Sequence, residues 1–482
     1  MILLFMLLAC DPAPTERAGP AASLGVFQTE LADDLTDQAY PALASDARRR
    51  EARFRDAAEP GYLFRTTAVP QEELAAGLWS NAEIFDIGGQ LFNLVFTAPM
   101  GFGGADSPAL RRFQRGARGG PDGLSCVNCH WRGGPAGGGD GADNAYLDGD
   151  GDTQASALAR NPPALVGLGA RELLAAELSA SLIAQRDALK RAAHRAGGPL
   201  KVDLVAKGVS FGWLGAMPDG TLDTRGLSGV SEDLIVRPFG WKGRFSTLRD
   251  AVEDELALHH GMQSVYLARH GDPARVGSSP APDPDGDGVI DEISEGQVSA
   301  LTLYLAMSET PIVHMPSSAE WLQRWSRGEA RFDAVGCAAC HVRGMPLDAS
   351  IYTLPDRQGG RSLEVDLVKD GAQPRLQRGE QGLTLYVYSD FKRHAMGEGL
   401  AEARDSAGVA ADQFMTPPLW GLARSRPYLH DGRAPDVESA ILAHGGEAAA
   451  AAAAYAALDK EEKYELRLYL SALNRAPRLV TP

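Results

Sequence analysis

Apolar positions fall into helical spacing at two corresponding places in the chain. Leu466, Leu470 and Leu473 share one helical face. Asp459 and Glu462, just before them, have the spacing of a capping box, and so do Ser294 and Gln297 earlier in the chain. Each closing helix carries Leu-Tyr-Leu, at 303–305 and 468–470. Upstream, Leu248, Ala251 and Val252 are matched by Val437, Ala440 and Ile441, each set following a Gly-Arg pair. Residues 171–196 predict a long amphipathic helix, and Ala448–Ala454 is helix-favouring. Two insertions, 198–236 and 360–390, hold Val-, Leu- and Tyr-rich runs broken by Gly and Asp, such as Leu383-Thr384-Leu385-Tyr386-Val387-Tyr388, and these predict small β-hairpins.

The pattern is a duplication. Pro162-Pro163-Ala164-Leu165-Val166-Gly167-Leu168 is echoed by Pro417-Pro418-Leu419-Trp420-Gly421-Leu422. Arg237-Pro238-Phe239-Gly240-Trp241-Lys242-Gly243-Arg244 is echoed by Arg426-Pro427-Tyr428-Leu429-His430-Asp431-Gly432-Arg433. The expected fold is mainly α, with two cytochrome c-like domains in tandem and small β-hairpin insertions. The expected boundaries are 1–10 as a signal, 11–80 as an N-terminal extension, 81–312 as the first haem domain and 313–482 as the second.

Residues 1–10, MILLFMLLAC, form an apolar run typical of an export signal. Its Leu7-Leu8-Ala9-Cys10 ending resembles a bacterial lipobox, so Cys10 is the expected lipidation site. The alternative is an ordinary signal peptide with an incidental Cys. The first reading predicts an exported periplasmic or cell-envelope lipoprotein, held to the membrane by its lipid anchor alone. No stretch reaches the ~20 apolar residues of a membrane span. The 482 residues include 47 Lys plus Arg against 63 Asp plus Glu, a formal charge of −16. That balance argues against nucleic acid as a partner, because phosphate neutralisation needs clustered cations.

Four of the five Cys fall into Cys126-Val127-Asn128-Cys129-His130 and Cys337-Ala338-Ala339-Cys340-His341. Two thiols at this spacing can each bond one haem vinyl group, and the following His can then ligate the iron. A zinc site calls for its pairs at short loop spacing, and a redox Cys-x-x-Cys or a local disulfide leaves both His unexplained. Two covalently bound c-type haems are therefore expected, with His130 and His341 as axial ligands. In the second half His444 follows Val437 and Ile441 on one helix face and is the expected opposite ligand, with Met396 as the alternative. In the first half Leu248, Val252, Glu255 and His259 share a face, so His259 or His260 caps the first iron, or the iron is open. Arg244 and Arg433 suit haem propionates or surface ion pairs equally, and His430 a haem edge.

With these residues in hand, the chain resembles the bacterial di-haem oxidoreductases described as putative peroxidases, relatives of the di-haem cytochrome c peroxidases. The resemblance spans about 80–475 and rests on both Cys-x-x-Cys-His groups and on Asn161-Pro162-Pro163-Ala164-Leu165. It rests also on Phe239-Gly240-Trp241-Lys242, Thr416-Pro417-Pro418-Leu419-Trp420-Gly421-Leu422, the Tyr428–Arg433 turn and His444-Gly445-Gly446-Glu447. It implies that His444 replaces a Met ligand of the electron-accepting haem, giving bis-His ligation and a lower potential. It implies that Trp241 stands between the haems as an electron relay, with packing as the plain alternative. The distal Glu of those enzymes is matched by Gly261 and a nearby Gln by Ala251, departures that weaken a true peroxidase assignment.

Asp283, Asp285, Asp287 and Asp291 occupy alternating places of an EF-hand-like loop, DPDGDGVID, although Ser294 stands where a closing Glu belongs. Calcium and a solvated turn are equal readings there. Asp148-Gly149-Asp150-Gly151-Asp152 is a weaker acidic loop. The function expected is an exported di-haem oxidoreductase. A small cytochrome or copper protein feeds the second haem, electrons pass to the first, and hydrogen peroxide is the default acceptor. The alternatives are a non-enzymatic electron carrier with two six-coordinate haems, and an oxidase of thiols or of a partner protein.

Overall fold

The computed structural model describes residues 67–474 apart from 104–111, 115–116, 120–121, 135, 148–156, 272–279, 311, 314 and 381. Cys10, the signal, most of the N-terminal extension, His314 and the acidic run 148–152 lie outside the described residues. In the first half, α1 (Asn81–Asn93) starts at Ser80, whose side chain forms a capping box with Glu83. The short α2 (Cys126–Cys129) carries the first thiol pair, and α3 (Leu168–Ala196) is the long helix expected from the pattern. The antiparallel strands β1 (Leu200–Ala206), β2 (Val209–Ala216) and β3 (Leu222–Asp223) form the first insertion. Then come α4 (Leu248–Glu255) and α5 (Glu295–Ala306), the latter capped by the expected Ser294–Gln297 box.

The second half opens with α6 (Ala319–Val335). Its insertion contains β4 (Met345–Leu347), β5 (Ile351–Leu354), β6 (Leu363–Asp366) and β7 (Gly382–Leu385). Strands β8 (Arg393–Ala395) and β9 (Gln413–Met415) pair next. The half closes with α7 (Val437–Leu442), α8 (Ala449–Ala457) and α9 (Lys460–Ser471), α9 capped by the Asp459–Glu462 box. The expectation of a mainly α fold is corrected: helix makes up 38% and strand 16%, spread over several small sheets. The strands are two- and three-stranded local ribbons whose pairing leaves little trace over runs of three or four residues.

The repeat is deeper than the sequence motifs. In each half the opening helix crosses the closing one at a glycine. A Cβ on Gly88 of α1 would lie 2.3 Å from the Ala300 carbonyl oxygen of α5, and one on Gly328 of α6 would lie 2.1 Å from that of Glu465 on α9. Around the first crossing, Phe85 and Phe92 stand 5.0 and 5.5 Å from the Tyr304 ring. Around the second, Trp325 and Phe332 stand 5.3 and 5.4 Å from Tyr469. With Leu466 and Leu470 these rings form the buried core of the second half. Only a residue without a Cβ permits backbones this close.

The halves also exchange segments. Phe239 bridges Phe245, and Tyr428 bridges Ala434, closing two equivalent turns. The Asn161 amide, at the first Pro-Pro segment, donates to the His430 carbonyl of the second turn at 2.7 Å. The Met415 amide, leading into the second Pro-Pro segment, donates to the Trp241 carbonyl of the first turn at 2.9 Å. Gly243 and Gly432, with φ of 62° and 70°, keep each turn open to its guest: a Cβ would lie 2.8 Å from Met415 Sδ and 3.3 Å from Asn161 Cγ. Each half thus seats the other's Pro-Pro lead-in.

Candidate functional site

The first Cys-x-x-Cys-His group sits between α1, α4 and the Pro-Pro segment. His130 Nδ1 donates to the Pro163 carbonyl at 3.0 Å, with the Gly137 carbonyl 3.3 Å away. In the second group, His341 Nδ1 donates to the Tyr388 carbonyl at 3.0 Å. A carbonyl can only accept, so each imidazole carries its proton on Nδ1 and presents a bare Nε2. Burial lowers both imidazoles to about 4, so both are neutral. A neutral ring oriented by a hydrogen bond from its other nitrogen is the donor an iron takes. Cys126, Cys129, Cys337 and Cys340 are all free thiols, not disulfides. The residues therefore fit two c-type haems.

His444 follows α7, and its Nδ1 donates to the Ala440 carbonyl at 2.7 Å, which again leaves Nε2 bare. It lies close enough to His341 to lower that imidazole's affinity for a proton. Met396 is half-buried, and its amide donates to the Asp412 carbonyl at 2.8 Å. Its own carbonyl lies against Gly445, beside His444.

The first half departs from the expected register. After Glu255, α4 widens into a π turn, Leu256–His260. The extra residue per turn shifts the inward position from His259 to His260. His260 is buried, its Nδ1 donates to the Gly123 carbonyl at 2.6 Å, and its Nε2 lies 3.7 Å from Cys126 Sγ. His259 instead has Nδ1 at 2.8 Å from Asp122 and Nε2 at 2.5 Å from Glu255. Both its nitrogens are engaged by carboxylates, and of the two candidate histidines it is His260 that stands beside Cys126. Glu255 shares the helix face of His259 at i,i+4, as the sequence indicates, whereas Asp122 lies 137 positions away and leaves no sequence signal.

Trp241 is half-buried, and its indole N–H donates to the Asn161 carbonyl at 3.0 Å. Its neighbour Lys242 is buried over the Phe414 ring and paired with Glu402. His430 stacks on the same Phe414 at 4.2 Å, and burial lowers it to about 4. Arg244 holds Asp254 through two bonds of 2.9 and 3.0 Å. Arg433 bonds Asp431 and the Gly399 carbonyl. Both arginines therefore have protein partners. Cys340 also groups with Asp390 and His394 within 4.8 Å, but His394 is held by Asp390 and Glu447, each at 2.8 Å.

In the acidic loop, ligand atoms of Asp283, Asp285 and Asp287 lie within 4.8 Å of one another. Asp291 turns away to Arg269 at 3.0 Å, which separates it from the expected set. The buried Glu292 stands beside the three instead. Burial, and then the charges of Asp285, Asp287 and Asp283, push its carboxyl up to about 9.

No curated protein matches the chain. Among solved structures, a MauG-like protein associated with microbial copper homeostasis is 14% identical with a TM-score of 0.35, over 82% of this chain and 89% of that one. Hydrazine synthase of Kuenenia stuttgartiensis, pressurised with xenon, is 20% identical with a TM-score of 0.24, over 42% of this chain; the match spans 65% of the synthase chain's length. Residues 323–473, which hold the second Cys-x-x-Cys-His group and His444, match the family described as di-haem oxidoreductase, putative peroxidase.

Proposed function

We propose that the protein is a di-haem redox enzyme that passes electrons from a small donor protein, through the C-terminal haem, to an acceptor at the N-terminal one. Hydrogen peroxide is the acceptor of first choice. Cys126, Cys129 and His130 would hold one haem, and Cys337, Cys340, His341 and His444 the other. Bound haem supplies reversible one-electron chemistry at iron.

One observation carries the reading. His341 is bonded to the Tyr388 carbonyl; the adjacent Ser389 hydroxyl donates to the Thr416 carbonyl at 2.7 Å; and the adjacent Met415 amide donates to Trp241. The Trp241 indole donates to Asn161, two residues before Pro163, whose carbonyl holds His130. Hydrogen bonds and short backbone steps thus join the two iron-facing histidines through one indole, in support of Trp241 as the relay.

The carrier alternative needs both irons capped. His260 is held by the Gly123 carbonyl and stands beside Cys126, and His259 is held by Asp122 and Glu255, which supports an open first iron and so an enzyme. The Asp283–Asp287 loop with Glu292 is read as a calcium site. The N-terminal run is read as an export and lipidation signal ending at Cys10, placing the enzyme in the cell envelope.

The test is the haem count with spin state. Wild-type protein matured in a competent host should give two haems by pyridine haemochrome, one high-spin and one low-spin by electron paramagnetic resonance. Cys129→Ala should lower the count to one. Colourless protein, or two low-spin haems inert to peroxide, would defeat the proposal.

A further inference from the structure

The π turn after α4 is pinned to the loop that leads into Cys126. The amides of Asp122 and Gly123 both donate to the His259 carbonyl, at 3.1 and 3.2 Å. The Gly123 carbonyl accepts from His260 Nδ1, and the Asp122 carboxylate meets His259 Nδ1. A π turn is an uncommon distortion that concentrates at functional sites. Here it places one imidazole between two carboxylates, in a row of falling exposure. The Glu255 side chain is 52% exposed, His259 21% and Asp122 7%.

The row borders the first attachment site: a Cβ on Gly123, next to Asp122, would lie 3.5 Å from His260 Cε1 and 3.8 Å from Cys129 Sγ. The charges of both carboxylates act on Cys129, and that of Glu255 also on Cys126 and His130. Nothing in the electron path from His341 through Trp241 to His130 uses these three residues. An imidazole can take a proton at one nitrogen and release it from the other, which a carboxylate pair alone does less well.

We propose that Glu255, His259 and Asp122 form a proton path from solvent to the first haem site. The inference rests on the first iron being open, as in the proposed function. Reduction of hydrogen peroxide breaks the O–O bond, takes up two electrons and two protons, and releases two waters. The electrons come from the donor protein by way of the second site. The path brings protons from solvent, with His259 turning over between its two carboxylates. Asp122 also positions the imidazole, because its carboxylate and its amide both hold residue 259.

The test uses the ferric holoprotein and cyanide, which enters as hydrogen cyanide and must shed its proton to bind iron. His259→Gln should slow cyanide association by ~10²-fold, the usual scale of acid–base assistance, with haem content and the low-spin signal of the second site unchanged. An unchanged association rate in an intact variant would overturn the path. Should His259→Gln lose haem or fail to fold, Glu255→Gln at the exposed end serves: slower association supports the path, and an unchanged rate overturns it. Wild-type protein that binds cyanide with these variant effects but never turns over peroxide would sink the peroxide reading and leave the path standing. Wild-type protein that binds no cyanide has a closed first iron, and the path falls.

Discussion

Replacing Gly328 by Ala tests the helix crossing on which the second site is built. Helix propensity alone predicts a gain of ~0.5–1 kcal/mol for Gly→Ala in a helix interior. The structure predicts the opposite sign. The new Cβ would stand 2.1 Å from the Glu465 carbonyl oxygen, 2.7 Å from its carbon and 2.9 Å from the Tyr469 Cβ. Two of these are backbone atoms, which no rotamer change can move, so α6 and α9 must part. Overpacking of this kind costs typically ~1–3 kcal/mol. Contact with backbone puts Gly328 toward the upper end, leaving a net loss of ~1–2 kcal/mol after the propensity gain. The loss should reach the second site. The Tyr469 hydroxyl meets that of Tyr388 at 3.1 Å, and the Tyr388 carbonyl holds His341. Urea melts of the holoprotein, followed by circular dichroism and by Soret absorption, should show a lower midpoint by both probes. Gly88→Ala, with contacts of 2.3 and 2.4 Å to Ala300 and Tyr304, should lower it too. A midpoint unchanged or raised in Gly328→Ala would refute the close backbone approach.

Three further outcomes are expected. His444→Ala should turn the low-spin haem high-spin by electron paramagnetic resonance; an unaltered spectrum would shift the ligand role to Met396. Trp241→Phe keeps a ring but loses the bond to Asn161, and should slow electron equilibration between the haems in flash photolysis; equal rates would leave Trp241 a packing residue. In chelator, Glu292 binds a proton more tightly folded, at about 9, than at its ordinary value of 4.5, so stability should fall as pH rises between these values. Calcium should stabilise the fold most near the alkaline end of that window, by ~2.7 kcal/mol at a hundredfold excess over its dissociation constant, read as a higher melting temperature. Asp285→Asn should abolish that increment in calorimetry.

The two Cys-x-x-Cys-His groups and the doubled order of motifs were legible because both rest on spacing, and spacing survives without a structure. The capping boxes at Ser294 and Asp459 were legible for the same reason. The opening helices were not read, although Phe85, Gly88 and Phe92 repeat as Trp325, Gly328 and Phe332. That signal was present at i, i+3 and i+7 in both helices, and it pairs the two glycines as well as the rings. The register of His259 and His260 was beyond periodicity, since a π turn breaks the spacing on which the inference depends. Arg244 and Arg433 were read as suiting propionates or ion pairs equally, and the structure shows the carboxylates they meet, Asp254 and Asp431. The strand content was underweighted because each ribbon closes locally within an insertion.

The reciprocal seating of Asn161 on His430 and of Met415 on Trp241 makes the seam between the repeats common property. A severed C-terminal half would keep its thiols and His341, yet leave the Met415 amide and the stacked Phe414–His430 pair without their borrowed cover. Each repeat therefore completes its turn only with the other in place, so the two halves stand or fall as one folding unit and not as a pair of independent modules.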